Sequence, residues 1–257
     1  MAALEVALRK IRDGGGKAFV PYVTGGYPGV DAELLRTLAS VGADAIEVGV
    51  PHSDPVMDGG VVQQASAAAL AAGAHPADVF GAIADADVDV PVAVMTYANV
   101  VNRAGPDRFC DDARAAGVSG LIVPDLPVDE ASELERVSGE RGIDLVLLAA
   151  PGTGTERYVA IGAAARGFVY CVATYGVTGA RDRLADTARQ VVEAMRAHTD
   201  LPLLVGVGIA MPDHAAEACG FADGVIVGSS LMARMLDGDR DGLAALATEF
   251  RSAVPSG

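Results

Sequence analysis

Tryptophan is absent from the 257 residues, cysteine occurs three times, and lysine is confined to Lys10 and Lys17. Each shortage excludes something. Cys110, Cys171 and Cys219 make no C-x-x-C pair, so a reducing cytoplasm is expected, with neither a disulfide framework nor a zinc site. Both lysines precede the first apolar run, which leaves none further along to form a Schiff base. His52, His75, His198 and His214 are scattered, without the H-x-H or H-E-x-x-H spacing of a metal site. Basic residues are outnumbered 19 to 34 by acidic ones, and the formal net charge of -15 argues against nucleic acid or an anionic membrane as partner. No apolar run is long enough to span a bilayer; the Ala-rich stretch 65–74 is interrupted by Ser66 and Gly73. Charges within the first 13 residues speak against a signal peptide.

What is present is an alternation, repeated eight times. Short, nearly continuous apolar runs at 18–23, 45–50, 92–97, 120–123, 144–149, 168–172, 203–207 and 224–227 read as strands buried on both faces. Between them lie helical patterns at 32–41, 106–116, 130–141, 156–165, 184–197 and 212–219. Asp31, Asp129 and Pro212 are their start signals, while Gly42, Gly117, Gly142 and Gly220 stand where helices stop. Eight such units in about 250 residues predict a parallel (β/α)8 barrel, the TIM-barrel architecture. An extra amphipathic helix at 2–11 is expected to plug or flank one end. A doubly wound sheet would favour a G-x-G-x-x-G turn after the first strand, but the turn reads T-G-G-Y-P. With no linker or composition break, 1–257 is expected to form one domain.

Barrels of this kind carry their chemistry at the C-terminal ends of the strands. Glu47 lies there, flanked by Ala45, Ile46, Val48 and Val50. An acid in such a wall is partnered or kept protonated, and burial lifts its pKa toward a general acid–base value. Pairing with a neighbouring arginine is the plainer reading. Asp58 follows in a long Pro/Gly-flanked loop, 51–60, above the same strand. Gly206 and Gly208 close strand seven, Gly228, Ser229 and Ser230 lead from strand eight into a helix, and Gly176 and Gly179 follow strand six. Singly these are turn glycines; together they mark the usual place of a phosphate in such barrels. Distant acidic charges are screened beyond about 8 Å and do not forbid it. The stretch 176–183 has the composition of a mobile lid. Carboxylates, tyrosines, hydroxyls and amides are thus the available tools, and a lyase using only these needs a substrate that absorbs electrons itself.

The run E-V-G-V-P-H-S-D-P-V-M-D-G over 47–59, with Gln63 after it, resembles the signature of the tryptophan synthase alpha chain family. So do F-V-P-Y-V-T at 19–24, M-T-Y-A-N at 95–99, V-P-D-L-P at 123–127, G-V-T-G at 176–179 and G-V-G-I at 206–209. Met57, Gly60 and Ala173 depart from the common pattern, where Ala, Pro and Ser are usual. The resemblance implies retro-aldol cleavage of indole-3-glycerol phosphate to indole and D-glyceraldehyde 3-phosphate in tryptophan biosynthesis. It implies Glu47 as acid–base and Asp58 as acceptor of the indole N–H hydrogen bond. Phe19, Tyr170 and Thr178 would contact substrate, and Gly179, Gly208, Gly228 and Ser229 would hold its phosphate. Asp54, Asn99 and Pro127 would face a beta chain, in an alpha2beta2 tetramer. No cofactor or metal is implied in this chain, pyridoxal phosphate being expected in the beta partner. Against this stand a catalytically silent barrel that only activates a partner, a stand-alone lyase releasing free indole, and a phosphosugar isomerase or epimerase. The last would want a catalytic Asp, Lys or His at strands one, four or seven, and strand one offers none.

Overall fold

The computed structural model describes residues 2–172, 181–206 and 208–257. Eight parallel strands close into a barrel in sequence order: β1 (Ala18–Thr24), β2 (Ile46–Gly49), β3 (Val92–Met95), β4 (Val118–Ile122), β5 (Asp144–Ala149), β6 (Val169–Cys171), β7 (Leu203–Val205) and β8 (Gly224–Val227). Among the described residues the helices are α1 (Ala3–Asp13), α2 (Ala32–Ser40), α3 (Gly60–Ala71), α4 (Pro76–Ala86), α5 (Ala98–Ala104) and α6 (Pro106–Ala115). They continue as α7 (Ser132–Glu140), α8 (Thr155–Ala164), α9 (Arg181–Arg196), α10 (Pro212–Cys219), α11 (Ser229–Leu236) and α12 (Arg240–Ala253).

Every residue of β1, β2, β4, β7 and β8 is buried, as continuous apolar runs demand of strands covered on both faces. The start and stop signals act largely as read. Asp31 accepts the Leu34 N–H at 2.9 Å and caps α2, and Pro212 opens α10. Gly42, Gly117 and Gly142 turn the chain with positive φ. Asp129 does not cap a helix. It sits in a single 3-10 turn, Val128–Glu130, pairs with Arg157, and α7 begins only after Ala131.

The first helix closes the N-terminal end of the barrel. Leu4 and Leu8 are fully buried, and a Cβ on Gly120 would collide with the Leu4 side chain, so β4 needs glycine there for the plug to enter. The Glu5 N–H in the first turn of α1 donates to Asp144 of β5 at 2.9 Å, fixing a helix start that lacks a cap of its own. The three cysteines are buried and free. No single helix among the described residues is long and apolar enough to cross a membrane.

Candidate active site

At the opposite end of the barrel lies a cavity of about 560 Å³. Alternation along the strands decides what lines it. From β2 comes Glu47, from β1 Tyr22, from β3 Met95, from β4 Ile122, from β5 Leu148 and from β8 Ile226. The bowl is thus apolar with one carboxyl in its wall. Two tyrosines narrow it. A Cβ on Gly49 would collide with the Tyr22 hydroxyl, and one on Gly206 with that of Tyr170. Each ring therefore lies across a neighbouring strand where only glycine leaves space for it.

Glu47 is 1% exposed, and its Oε2 has no hydrogen-bond partner among the described residues. The pairing with arginine is not what the geometry shows. Burial first, then the negative charge of Asp58, push the Glu47 carboxyl up to about 8. At neutral pH it is a buried acid with a proton to give.

Asp58 reaches the same cavity from the loop above. Burial raises its pKa, while a hydrogen bond from the Tyr97 hydroxyl, 3.0 Å from Oδ2, and the proximity of His52 act the other way. The Tyr97 oxygen also accepts the Met57 N–H at 3.0 Å, so one hydroxyl fastens both the loop backbone and the carboxylate. From the first turn of α3, Gln63 Nε2 donates to the Asp58 carbonyl at 2.9 Å. Two carboxyl groups of unequal environment thus face one apolar cavity, the less exposed holding its proton more tightly. Carboxyl groups set apart in this way by their surroundings can take different tasks in one site.

Gly208, Gly228 and Ser229 line the rim at the ends of β7 and β8, with Ser229 in the first turn of α11. The helix terminus adds its unsatisfied N–H groups to that rim. Asp54 and Asn99 lie at the mouth, both bound to His52: the Asp54 N–H donates to Nδ1 at 3.0 Å and Nε2 is 3.0 Å from Asn99 Oδ1. Pro127 precedes the 3-10 turn after β4 and is not among the residues lining the cavity.

Of the residues expected from sequence, the structure brings together Glu47, Asp58, Tyr170, Gly208, Gly228 and Ser229. Phe19 it does not. That ring is fully buried on the outer face of β1, stacked at 6.4 Å on Phe250 of α12. Residues 19 and 22 are three apart on a strand and so point to opposite faces; Tyr22 holds the inward place. Tyr97 was legible in its motif but its hold on Asp58 was not. Thr178, Gly179, Ala173 and most of the expected lid fall within 173–180, outside the described residues.

Fold and site together define a class: a (β/α)8 barrel with two carboxyl groups facing one cavity at the C-terminal ends of its strands. Known proteins narrow it. The chain matches the tryptophan synthase alpha chain family over residues 8–253, and it belongs to that family. An alpha chain from Halorhodospira halophila is 45% identical over 259 residues, covering 99% of this chain and 94% of its own length. One from Thermobifida fusca is 44% identical over 243 residues, covering 92% and 90%. Among solved structures, Mycobacterium tuberculosis tryptophan synthase superposes with a TM-score of 0.92 at 39% identity, over 100% of this chain and 99% of that one. With membership goes the alpha reaction, cleavage of indole-3-glycerol phosphate with indole passed to a beta chain. In this family pyridoxal phosphate resides in the beta chain, and the alpha chain carries no cofactor.

Proposed function

We propose that Glu47 is the group that delivers the proton for this cleavage. The single observation carrying the assignment is its burial, with one oxygen unpartnered among the described residues, in the wall of a cavity of about 560 Å³ shared with Asp58. Protonation of indole C3 by the neutral Glu47 makes the ring an electron sink. The bond from C3 to the glycerol chain then breaks, its electron pair returning to the indole. The glycerol hydroxyl on the departing carbon becomes the aldehyde, and its proton goes to the Glu47 carboxylate, restoring the acid. Asp58 accepts a hydrogen bond from the indole N–H and stabilises positive charge as it builds there.

Met95, Ile122, Leu148 and Ile226 suit the indole, with Tyr22 and Tyr170 as walls. Tyr22 takes the part that the resemblance gave to Phe19. Gly208, Gly228 and Ser229 hold the phosphate at the start of α11; Thr178 and Gly179 join this assignment by resemblance alone. Asp54, Asn99 and Pro127 belong to the face toward the beta chain. We further propose that 1–257 works as one barrel domain, in the cytoplasm. The decisive experiment is Glu47→Gln assayed for indole release, with a substrate analogue to measure binding. Binding without turnover supports the reading, and turnover close to the parent's defeats it.

A further inference from the structure

The loop from β2 to α3 carries a half-buried histidine to which the family reaction assigns nothing. Three contacts fix the His52 ring. Nδ1 accepts the Asp54 N–H at 3.0 Å, which places the ring proton on Nε2, and Nε2 then donates to Asn99 Oδ1 at 3.0 Å. One face of the imidazole lies on the Tyr97 ring, centroids 4.4 Å apart and planes inclined by 21°. A single neutral tautomer satisfies both hydrogen bonds at once. Tyr97 in turn donates to Asp58 and accepts the Met57 N–H. The two mouth residues, Asp54 and Asn99, therefore meet on one ring whose other contact is the tyrosine holding Asp58.

We propose that His52 is a positioning residue for indole-3-glycerol phosphate cleavage, locking the 51–59 loop to α5 so that Asp58 stands where the indole N–H arrives. The inference rests on the assignment of Asp58 given above. The ring also couples the mouth to the chemistry: a partner group that displaces Asn99 or Asp54 releases or tightens the imidazole, and through Tyr97 moves the carboxylate. The ionisable groups around it are Asp54 and Asp58 of its own loop, Tyr97 at the head of α5, and Asp125 beyond β4, which accepts the Ala98 N–H at 2.9 Å. A proton on Nδ1 would set two donors against each other at the Asp54 N–H, so the ordered loop belongs to the neutral ring.

The test is steady-state cleavage by the full chain, alone and with a beta chain, for His52→Phe. Phenylalanine keeps an aromatic face over Tyr97 and loses both nitrogens. The expected result is a kcat lowered about tenfold, the scale of a lost hydrogen bond or two, with KM within about twofold because the phosphate rim and the apolar wall lie elsewhere and the Asp58 hydrogen bond matters most as positive charge builds on the indole. The proposal is overturned by a variant kcat within about twofold of the parent, or by a KM that rises as much as kcat falls. Glu47→Gln run alongside separates the two layers. If Glu47→Gln still turns over, the underlying reading is at fault; if it is inactive while His52→Phe behaves as parent, this inference alone falls.

Discussion

Replacing Glu47 by glutamine separates the charge of the carboxyl from its shape, and stability reports on it independently of activity. The unfolded chain releases this proton near pH 4.5, whereas the folded chain holds it to about 8, burial being the main cause and the Asp58 charge the second. Between those values the folded state binds the extra proton, so stability falls as pH rises through the window. At about 1.4 kcal/mol for each pH unit, the full cost at high pH approaches about 5 kcal/mol. Glutamine carries no charge to desolvate, but its amide meets the same wall without a partner, at a cost of about 1–3 kcal/mol that is independent of pH. Thermal unfolding should therefore find the variant less stable than the parent near pH 5 and more stable near pH 9. With about 2–4 °C per kcal/mol for a chain of this length, the difference in Tm should swing by about 10 °C or more across that range. Indole formation by the variant should fall about 10²–10⁴-fold where the parent's acid is protonated, and in the parent it should decline as pH climbs through 8 and the acid is lost. Parallel Tm profiles for the two chains would refute the reasoning, since they would mean that Glu47 ionises in the fold like an exposed carboxyl.

Asp58→Asn should lower kcat by about 10²-fold or more while an uncleaved indole analogue still binds, because the missing charge matters most as the indole nitrogen becomes positive; equal losses in binding and turnover would make Asp58 a positioning group. Ser229→Asp puts a carboxylate on the phosphate rim and at a helix N-terminus that tolerates it, so KM should rise with Tm unchanged, and an unaltered KM would place the phosphate elsewhere. That variant is preferable to one at Gly208, whose φ of +91° would strain any side chain. Asp54→Ala should reduce stimulation by the beta chain, a coupling of about 1–3 kcal/mol, by a larger factor than it reduces the lone chain's rate; equal reductions in mixing experiments would place Asp54 in the chemistry instead.

The barrel was legible because burial on both faces writes each strand as an apolar run. Two runs, 144–149 and 224–227, coincide with β5 and β8. At β4 the strand begins earlier than the run at 120–123, because Ser119 interrupts the hydrophobic pattern yet is buried and donates to the Val92 carbonyl of the adjacent strand. A polar side chain satisfied across a barrel seam leaves no local trace. The same limit explains the site. Glu47 could be found because a charge in an apolar run is costly wherever that run folds. Phe19 and Tyr22 could not be sorted, since an apolar strand with both faces covered does not announce which one is inward. Asp129 looked like a cap by composition, but the 3-10 turn following Pro127 moved the helix start downstream. The contacts among His52, Tyr97 and Asn99 join residues some 45 positions apart, which only the closed ring of strands brings together.

The plug formed by Leu4 gives the molecule a direction. With one end of the barrel stoppered by α1, the described residues leave the vessel open at the other, and Asp54 and Asn99 stand at that threshold. On the assignment proposed above, the sugar phosphate would sit at the rim, beside the doorway, and the indole at the blind end, from which it would pass the rim to leave. Traffic is therefore ordered by depth: what sits deepest goes last unless the threshold itself leads onward. A partner seated there turns a queue into a corridor, and the stopper at the far end is what ensures that the corridor runs one way.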